Sequence, residues 1–455
     1  MSPSSRLFGT DGIRAPFGTP PLDRRTITAL AHALRARLRA AGGNGEPPRV
    51  VLGGDTREST PEICGWLASG LKDEGVEVCY AGEIPTPGVA FLARHLGAAS
   101  GIAVSASHNP VPDNGVKLID GLGFKWPEAA EAELERALLA LRDDPGFVPG
   151  APAELDADPA LAQDYLDALL ASLPKETPLS GLKLAVDCGH GAASKYAEVL
   201  FRTLGAAVEV MNDRPNGTNI NAGCGSTHPE VVAAKVRETG ADLGIAFDGD
   251  ADRCILVDEL GEVRDGDAIL YLWARDLADR DVLPGRKIVA TSMSNLGLVR
   301  ALYREGIEVV RCDVGDRQVV AAMKAEGIVL GGEQSGHIVH LGLASTGDGL
   351  ATAIQMAALR ARSGEPLSRM LAGFRRYPQI LSNIPVREKR AFADLPGVAA
   401  AAERVERKLG DDGRLVLRYS GTEPLARIMI EGADQGEITT LAGEIATEIR
   451  SAIGV

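Results

Sequence analysis

Asp248 to Arg253 reads Asp-Gly-Asp-Ala-Asp-Arg and follows directly on the apolar run Leu243 to Phe247. Carboxylates at Asp248, Asp250 and Asp252, in a loop beyond a strand, can converge on one hard cation while Arg253 offsets the excess negative charge. The bland alternative is a solvated acidic turn, but carboxylates crowded without a cation repel one another. Counting from Asp248 puts Glu259 at the twelfth position, where a calcium-binding EF-hand loop has its bidentate Glu. The rest of that motif fails, because its sixth position is Arg253 instead of Gly and Ile255-Leu256-Val257 continues as a strand. Magnesium completed by a substrate or phosphoryl oxygen fits better.

Three further segments carry reactive types. Ser105-Ala106-Ser107-His108-Asn109-Pro110 follows the apolar strand Gly101 to Val104, with Asp113-Asn114-Gly115-Val116-Lys117 just beyond; such a loop lies where α/β folds place ligands. A Ser beside a His invites a hydrolase reading, yet neighbours in a loop rarely point at each other and no Gly-x-Ser-x-Gly elbow surrounds either Ser. A Ser- and Asn-rich turn before Pro110 accounts for the segment equally well on its own. Gly331-Gly332-Glu333-Gln334-Ser335-Gly336-His337 follows the strand Ile328 to Leu330, and its Glu, Ser and His on a glycine-loosened loop suit sugar hydroxyls or an amine. Arg418-Tyr419-Ser420-Gly421-Thr422-Glu423-Pro424, with Arg427 beyond it, offers two Arg, two hydroxyls and Gly-exposed amides for a dianion. An ordinary hairpin loop would read the same. Phe8 to Arg14 and Val314-Gly315-Asp316-Arg317 each bring an Arg into a Gly-rich turn.

The elements that must position these loops repeat. Val50 to Gly53, Leu184 to Asp187 and Ile288 to Thr291 are short apolar runs entering polar loops. Each is answered by a helix stopped by Gly and a second strand, at Asp73 to Val78, Leu204 to Val210 and Arg304 to Val310. In the first unit Thr60 suits a helix cap, Pro61 the first turn, and Ile63, Leu67 and Leu71 share a face. Strands alternating with helices favour mainly parallel, two-sided α/β layers. From Gln379 the order changes to strand, helix, strand, strand, helix, a smaller α+β domain. Seams near Ala151–Asp158, Leu256–Asp267 and Phe374–Gln379 give four domains, at 1–155, 156–258, 259–374 and 375–455. The fold class is α/β, three related mixed-sheet domains plus the C-terminal one, and the segment 42–48 reads as a surface insert.

At 455 residues, 45% hydrophobic and 24% charged, the chain is long enough for several globular cores. A net charge of −14 gives no field to attract nucleic acid or an anionic membrane, so an anionic substrate must be met by local basic groups. The six cysteines show no Cys-x-x-Cys spacing and read as buried thiols of a reducing compartment. Met1 to Phe8 has no apolar signal region and no run of 18 apolar residues occurs, so a cytoplasmic location is expected.

The four main segments, in this order, resemble the α-D-phosphohexomutase family, whose members share four domains around one deep cleft; the resemblance spans nearly the whole chain. It implies that Ser107 carries a transferable phosphate and, with Asp248, Asp250 and Asp252, surrounds magnesium. It implies sugar contacts from Glu333, Ser335 and His337, and phosphate binding by Arg418, Ser420, Gly421, Thr422 and Arg427. Lys117 and Arg14 match the positions used for proton transfer and charge stabilisation, and Arg253, Gly315, Asp316 and Arg317 match lining residues of the cleft. A hexose 1,6-bisphosphate, of glucosamine or glucose, is the implied activator and intermediate. Phe8 to Arg14 and Glu333 to His337 look like the glucosamine branch, which interconverts glucosamine 6-phosphate and glucosamine 1-phosphate for cell-wall precursor synthesis and is usually dimeric, so a homodimer is the implied assembly. Ala15 and Ala251 stand where the family often has Gly, and Tyr419 fills a variable place. Rival readings are a glucose or mannose phosphate mutase, a phosphatase using the same metal loop, and a non-catalytic sugar-phosphate-binding protein.

Overall fold

The computed structural model describes residues 6–41, 47–72, 75–173, 177–420 and 423–455. The first domain runs β1 (Ile13–Pro16), α1 (Arg24–Ala41), β2 (Arg49–Gly54), α2 (Thr60–Lys72), β3 (Glu77–Glu83), α3 (Thr86–His95), β4 (Ser100–Val104), β5 (Asp113–Asp120) and α4 (Glu128–Asp143). The second runs α5 (Pro159–Ala171), β6 (Lys183–Asp187), α6 (Ala197–Thr203), β7 (Ala207–Met211), α7 (Pro229–Thr239), β8 (Leu243–Phe247), β9 (Cys254–Asp258) and β10 (Val263–Arg264). In the third are α8 (Gly266–Asp279), β11 (Lys287–Thr291), α9 (Leu296–Arg304), β12 (Glu308–Cys312), α10 (Asp316–Glu326), β13 (Leu330–Gly332), β14 (Ile338–His340), α11 (Gly349–Ser363) and α12 (Leu367–Met370). The fourth holds β15 (Gln379–Pro385), α13 (Pro396–Leu409), β16 (Arg414–Tyr419), β17 (Leu425–Glu431) and α14 (Gln435–Ile453).

The sheets order as β1-β5-β4-β2-β3, β10-β9-β8-β6-β7, β12-β11-β13-β14 and β15-β17-β16. In the first two, three parallel strands are continued by antiparallel β5 or β9. In the third, parallel β11 and β13 are continued by antiparallel β14. The fourth sheet is wholly antiparallel. The three expected strand-helix-strand units are all present as β2-α2-β3, β6-α6-β7 and β11-α9-β12. β10 lies beyond residue 258 yet pairs with β9, so the second sheet reaches past the seam drawn from the sequence.

Local chemistry explains the elements. Ile63, Leu67 and Leu71 are fully buried on one face of α2, each contributing about 1.5–3 kcal/mol of burial. Asp158 caps α5 through Ala160 N–H with Pro159 in the first turn, and Gly240, at φ 64°, ends α7 in the left-handed conformation that Gly tolerates. Thr60 takes another role than the expected cap: its hydroxyl donates to Asp55 at 3.1 Å and accepts from Asn114 at 3.1 Å, tying the β2 exit to β5. All six cysteines are free; Cys64, Cys188, Cys224 and Cys254 are buried, whereas Cys79 and Cys312, both on edge strands, are half-buried.

The chain separates into two compact units, residues Met1–Ser292 with Val309–Leu371, and Met293–Glu308 with Ala372–Val455. The second unit therefore carries α9 beside the fourth sheet. There Glu431, fully buried, accepts from Asn295 Nδ2 at 3.0 Å and from Arg414 Nε at 2.8 Å. Among the described residues no helix is long and apolar enough to cross a membrane.

Candidate active site

Three chemistry-bearing loops occupy the same place in the three related sheets, where the last parallel strand hands over to the first antiparallel one. They are the β4–β5 loop with Ser107, the β8–β9 loop with Asp248 to Arg253, and the β13–β14 loop with Glu333 to His337. This is the carboxyl end of the parallel strands, where open α/β sheets bind ligands.

Ser107 is 1% exposed and sits at φ 53°, a left-handed conformation uncommon for a side-chain-bearing residue. Its hydroxyl donates to Asp248 Oδ2 at 2.6 Å, across 141 positions of sequence. Its N–H donates to Ser105 Oγ at 2.8 Å, and Ser105 donates to Asp55 at 2.5 Å. The Ser107 carbonyl accepts from Arg57 at 3.2 Å and from Asn221 of the second domain at 2.9 Å. Arg57, almost wholly buried, also binds the carbonyls of Asn109 and Asp113, both at 2.8 Å. The loop is thus held by its backbone, and the Ser107 hydroxyl is turned to Asp248. Gly249 permits the approach of the two loops, since a Cβ there would stand 2.7 Å from the Ser107 carbonyl oxygen.

His108 Nδ1 does come within 3.4 Å of the Ser107 hydroxyl, closer than the sequence reading allowed. Burial, with Arg253 and Arg14 nearby, lowers its pKa to about 4, so the ring is neutral at pH 7.

Asp248, Asp250 and Asp252 each offer an oxygen, all within 4.8 Å of one another. Burial first, then the charges of Asp252 and Asp250, pushes Asp248 well above the ordinary carboxylate range. Asp250 meets the same burial, but Lys117 at 2.7 Å and the Thr86 hydroxyl at 2.5 Å hold it below that range. Asp250 Oδ1 and Asp252 Oδ1 are buried with no hydrogen-bond partner. A desolvated all-oxygen trio with two unanswered acceptors fits a hard divalent cation. Ala251 stands at φ 52°, which explains why Gly suits that position. Glu259, the false EF-hand ligand, instead binds the Ser368 hydroxyl and N–H at the start of α12.

Lys117 is 1% exposed. Burial alone would lower its pKa, yet Asp11 at 3.1 Å, Asp250 and Asp252 together raise it, so the ammonium stays charged. Arg14 is paired with Asp11 and reaches Asn109 Oδ1 at 3.4 Å. Arg253 Nε lies 4.0 Å from Asp248 and 3.8 Å from Asp252.

In the third loop, Gly331 and Gly332 belong to β13 and do not loosen a loop: they are buried where a Cβ would strike Met323 or the His337 carbonyl. The loop proper carries half-buried Glu333, exposed Ser335 and buried His337. Glu333 Oε1 accepts from Gly315 N–H at 3.0 Å, and His337 Nε2 lies 3.9 Å from Asp316. Asp316 is paired with Lys125 and Arg317 with Glu131, both partners belonging to the first domain.

The second unit carries the basic hairpin β16–β17. Arg418 and Arg427 face each other in register, and burial together with the Arg427 charge lowers the pKa of Arg418. Arg427 donates to Ser420 Oγ at 3.3 Å and Glu423 at 3.0 Å, while Lys389 donates to the Ser420 carbonyl at 2.6 Å. Gly421 and Thr422 lie outside the described residues. Two like charges held side by side repel, and an anion set between them would relieve that repulsion. Arg57, Thr86, Lys125 and Asn221 of the first unit, and Lys389 beside the hairpin of the second, are residues that the motif reading passed over. A charged Asp55-Thr56-Arg57 run at the exit of an apolar strand was the one available signal.

Comparison with known proteins bears on all four domains. Models of the phosphoglucomutase/phosphomannomutase family match in order: alpha/beta/alpha domain I at residues 5–143, domain II at 163–261, domain III at 265–377 and the C-terminal domain at 381–448. A phosphoglucosamine mutase from Anaeromyxobacter dehalogenans is 45% identical over 99% of both chains. One from Symbiobacterium thermophilum is 44% identical over 98% of this chain and 99% of its own. A Burkholderia thailandensis phosphoglucomutase/phosphomannomutase family protein superposes with a TM-score of 0.80 at 26% identity, covering 99% of each chain. At 20% identity and a TM-score of 0.67, the fold is shared with Aspergillus fumigatus N-acetylphosphoglucosamine mutase, solved with GlcNAc-6P and magnesium; 99% of this chain and 96% of that one are covered.

Proposed function

The chain belongs to the phosphoglucomutase/phosphomannomutase family of α-D-phosphohexomutases, and from that premise we propose that it interconverts glucosamine 6-phosphate and glucosamine 1-phosphate, as an intramolecular phosphotransferase working through phosphorylated Ser107. The observation that carries the reading is the 2.6 Å contact between the Ser107 hydroxyl and Asp248 of the carboxylate trio, made by two loops of different domains. The four spans 1–155, 156–258, 259–374 and 375–455 are the proposed domains.

Asp248, Asp250, Asp252 and the Ser107 phosphate would hold magnesium. When bound, that ion neutralises phosphoryl charge. The chain's own groups do the rest. In the first transfer a sugar hydroxyl attacks the phosphorus of phosphoserine in line, the bond from phosphorus to Ser107 Oγ breaks, and a bisphosphorylated sugar forms. The exchange is proton-neutral: the hydroxyl proton ends on Ser107 Oγ. Lys117, kept charged by Asp11, Asp250 and Asp252, would relay that proton, giving one to Ser107 Oγ and taking the one the sugar hydroxyl loses, and Arg14 would balance charge. Glu333, Ser335 and His337 would orient the sugar, with Gly315, Asp316, Arg317 and Arg253 shaping the wall around it. Arg418, Ser420, Gly421, Thr422 and Arg427 would take the phosphate that is not reacting. The sugar then turns over, and its other phosphate returns to Ser107.

The test is a side-by-side assay of glucosamine, glucose and mannose 6-phosphates with magnesium and a hexose 1,6-bisphosphate, following isomer and free phosphate together. Glucosamine phosphate should turn over fastest with almost no free phosphate. Faster turnover of glucose or mannose phosphate would reassign the substrate. Phosphate released as fast as substrate disappears would make the protein a phosphatase, and binding without turnover would make it non-catalytic.

A further inference from the structure

A chain of charged side chains joins the phosphoserine region to the sugar loop, and one member, Lys125, has no part in the chemistry above. Arg14 and Lys117 both contact Asp11, the latter at 3.1 Å. The other oxygen of Asp11 accepts from Lys125 Nζ, and the same ammonium is paired with Asp316 at the start of α10. Asp316 in turn lies 3.9 Å from His337. Lys125 is therefore the link through which a first-domain carboxylate, braced against Lys117 and Arg14, meets a third-domain carboxylate beside the sugar loop.

Its position is built by a hairpin. After β5 the chain turns through Gly123, at φ 85°, and returns so that Lys125 bridges Ile119 and Trp126 N–H donates to the Leu118 carbonyl at 3.0 Å. The same hairpin accepts from the Ser345 hydroxyl of the third domain at the Gly123 carbonyl, 2.6 Å away. One turn into α4, Glu131 pairs with Arg317, the neighbour of Asp316. Two ion pairs and a hydrogen bond thus join the first domain to the third at one place. The Lys125 and Asp316 side chains are only 10% and 12% exposed. An ammonium withdrawn from water this far is tolerated only where carboxylates answer it. Here one comes from its own domain and one from the third, so in any other register Asp11 alone answers the ammonium and Asp316 loses its partner.

We infer that Lys125 is a positioning residue, a latch between the first and third domains that retains the bisphosphorylated sugar while it turns over. The inference rests on the mutase reading. Between the two transfers the intermediate has no covalent tether, and a wall that loosens lets it escape. Escape leaves Ser107 without phosphate, and turnover then depends on bisphosphate from solution.

The experiment compares wild type with Lys125→Met, which keeps the stem and removes the charge. Single-turnover loss of phosphate from phosphorylated Ser107 to glucosamine 6-phosphate should stay within about threefold of wild type. Steady-state isomerisation without added bisphosphate should fall at least about tenfold, with glucosamine 1,6-bisphosphate appearing in solution and activity returning when glucose 1,6-bisphosphate is supplied. Lys125→Arg should retain the intermediate. A merely structural role would lower both phases together and would not be rescued. Wild-type behaviour of Lys125→Met without added bisphosphate, or lost turnover with no bisphosphate released, overturns the latch. If Lys125→Met folds poorly, Glu131→Gln breaks the neighbouring pair with Arg317 and should release bisphosphate in the same way; failure to do so overturns it equally. If wild-type Ser107 carries no transferable phosphate, the mutase reading itself falls, and the latch with it.

Discussion

The Ser107 region and the Arg418–Arg427 hairpin would both bind phosphate, and they are built in opposite ways. Ser107, Asp248, Asp250 and Asp252 are 0–4% exposed and braced by partners far away in sequence: Asp248 with Ser107, Asp250 with Thr86 and Lys117, the Ser107 carbonyl with Arg57 and Asn221. In the hairpin, Arg427 leans on Ser420 and Glu423, within seven positions, and faces a second Arg of like charge. Bond-making at phosphorus requires reacting atoms fixed to a fraction of an ångström. A handle for the other phosphate needs charge and a fork of donors, and it must serve a sugar presented in two orientations.

That contrast breaks most visibly at Asp250. Asp250→Asn removes a carboxylate that both completes the trio and holds Lys117, so kcat should fall by about 10³-fold or more. Chelation should do the same to wild type, with magnesium restoring wild type alone. More than a tenth of the activity surviving either treatment would mean that the buried region is not where the chemistry is set. Arg427→Gln should act differently, raising KM for the sugar phosphate by about 10–100-fold with a smaller change in kcat and unchanged phosphate on Ser107. A drop in kcat at constant KM would place the hairpin with the reacting atoms instead.

The smallest effect concerns the scaffold under the buried region. Asp348 caps α11 through Ala351 N–H and accepts from the Tyr165 hydroxyl at 2.9 Å, and burial raises its pKa to about 6. An unfolded Asp titrates near 3.9, so the favourable contribution of the protonated form is full below about pH 4 and is lost as pH rises through about 6. Relative to Asp348→Asn, wild type should lose about 2–3 kcal/mol of stability between pH 4 and pH 7.5, read from urea midpoints of the two proteins. A constant difference across that range would show that the carboxylate is not held protonated by its surroundings.

The trio, the Ser107 loop, the sugar loop and the basic hairpin were legible because each packs several reactive types into six or seven consecutive residues after an apolar strand. The strand-helix-strand repeats were legible for a related reason, since apolar runs and Gly stops are local signals. Arg57, Thr86, Lys125 and Glu131 were not, because each acts through partners that are distant in sequence, 50 positions for Arg57 and Ser107, 186 for Glu131 and Arg317. A lone Arg or Lys carries no mark of whom it will meet. Gly331 and Gly332 misled for the opposite reason: glycine loosens a loop but also lets strands and side chains pack close, and only the contacts with Met323 and His337 distinguish the two uses.

The most direct measurement is where phosphate resides on the purified protein and whether it moves. Intact mass and peptide mapping should find phosphate on Ser107. Addition of glucosamine 6-phosphate should remove it as bisphosphorylated sugar, and Ser107→Ala should lose isomerisation by about 10³-fold or more. Phosphate mapped to another residue, together with a Ser107→Ala variant that still isomerises, would contradict the account.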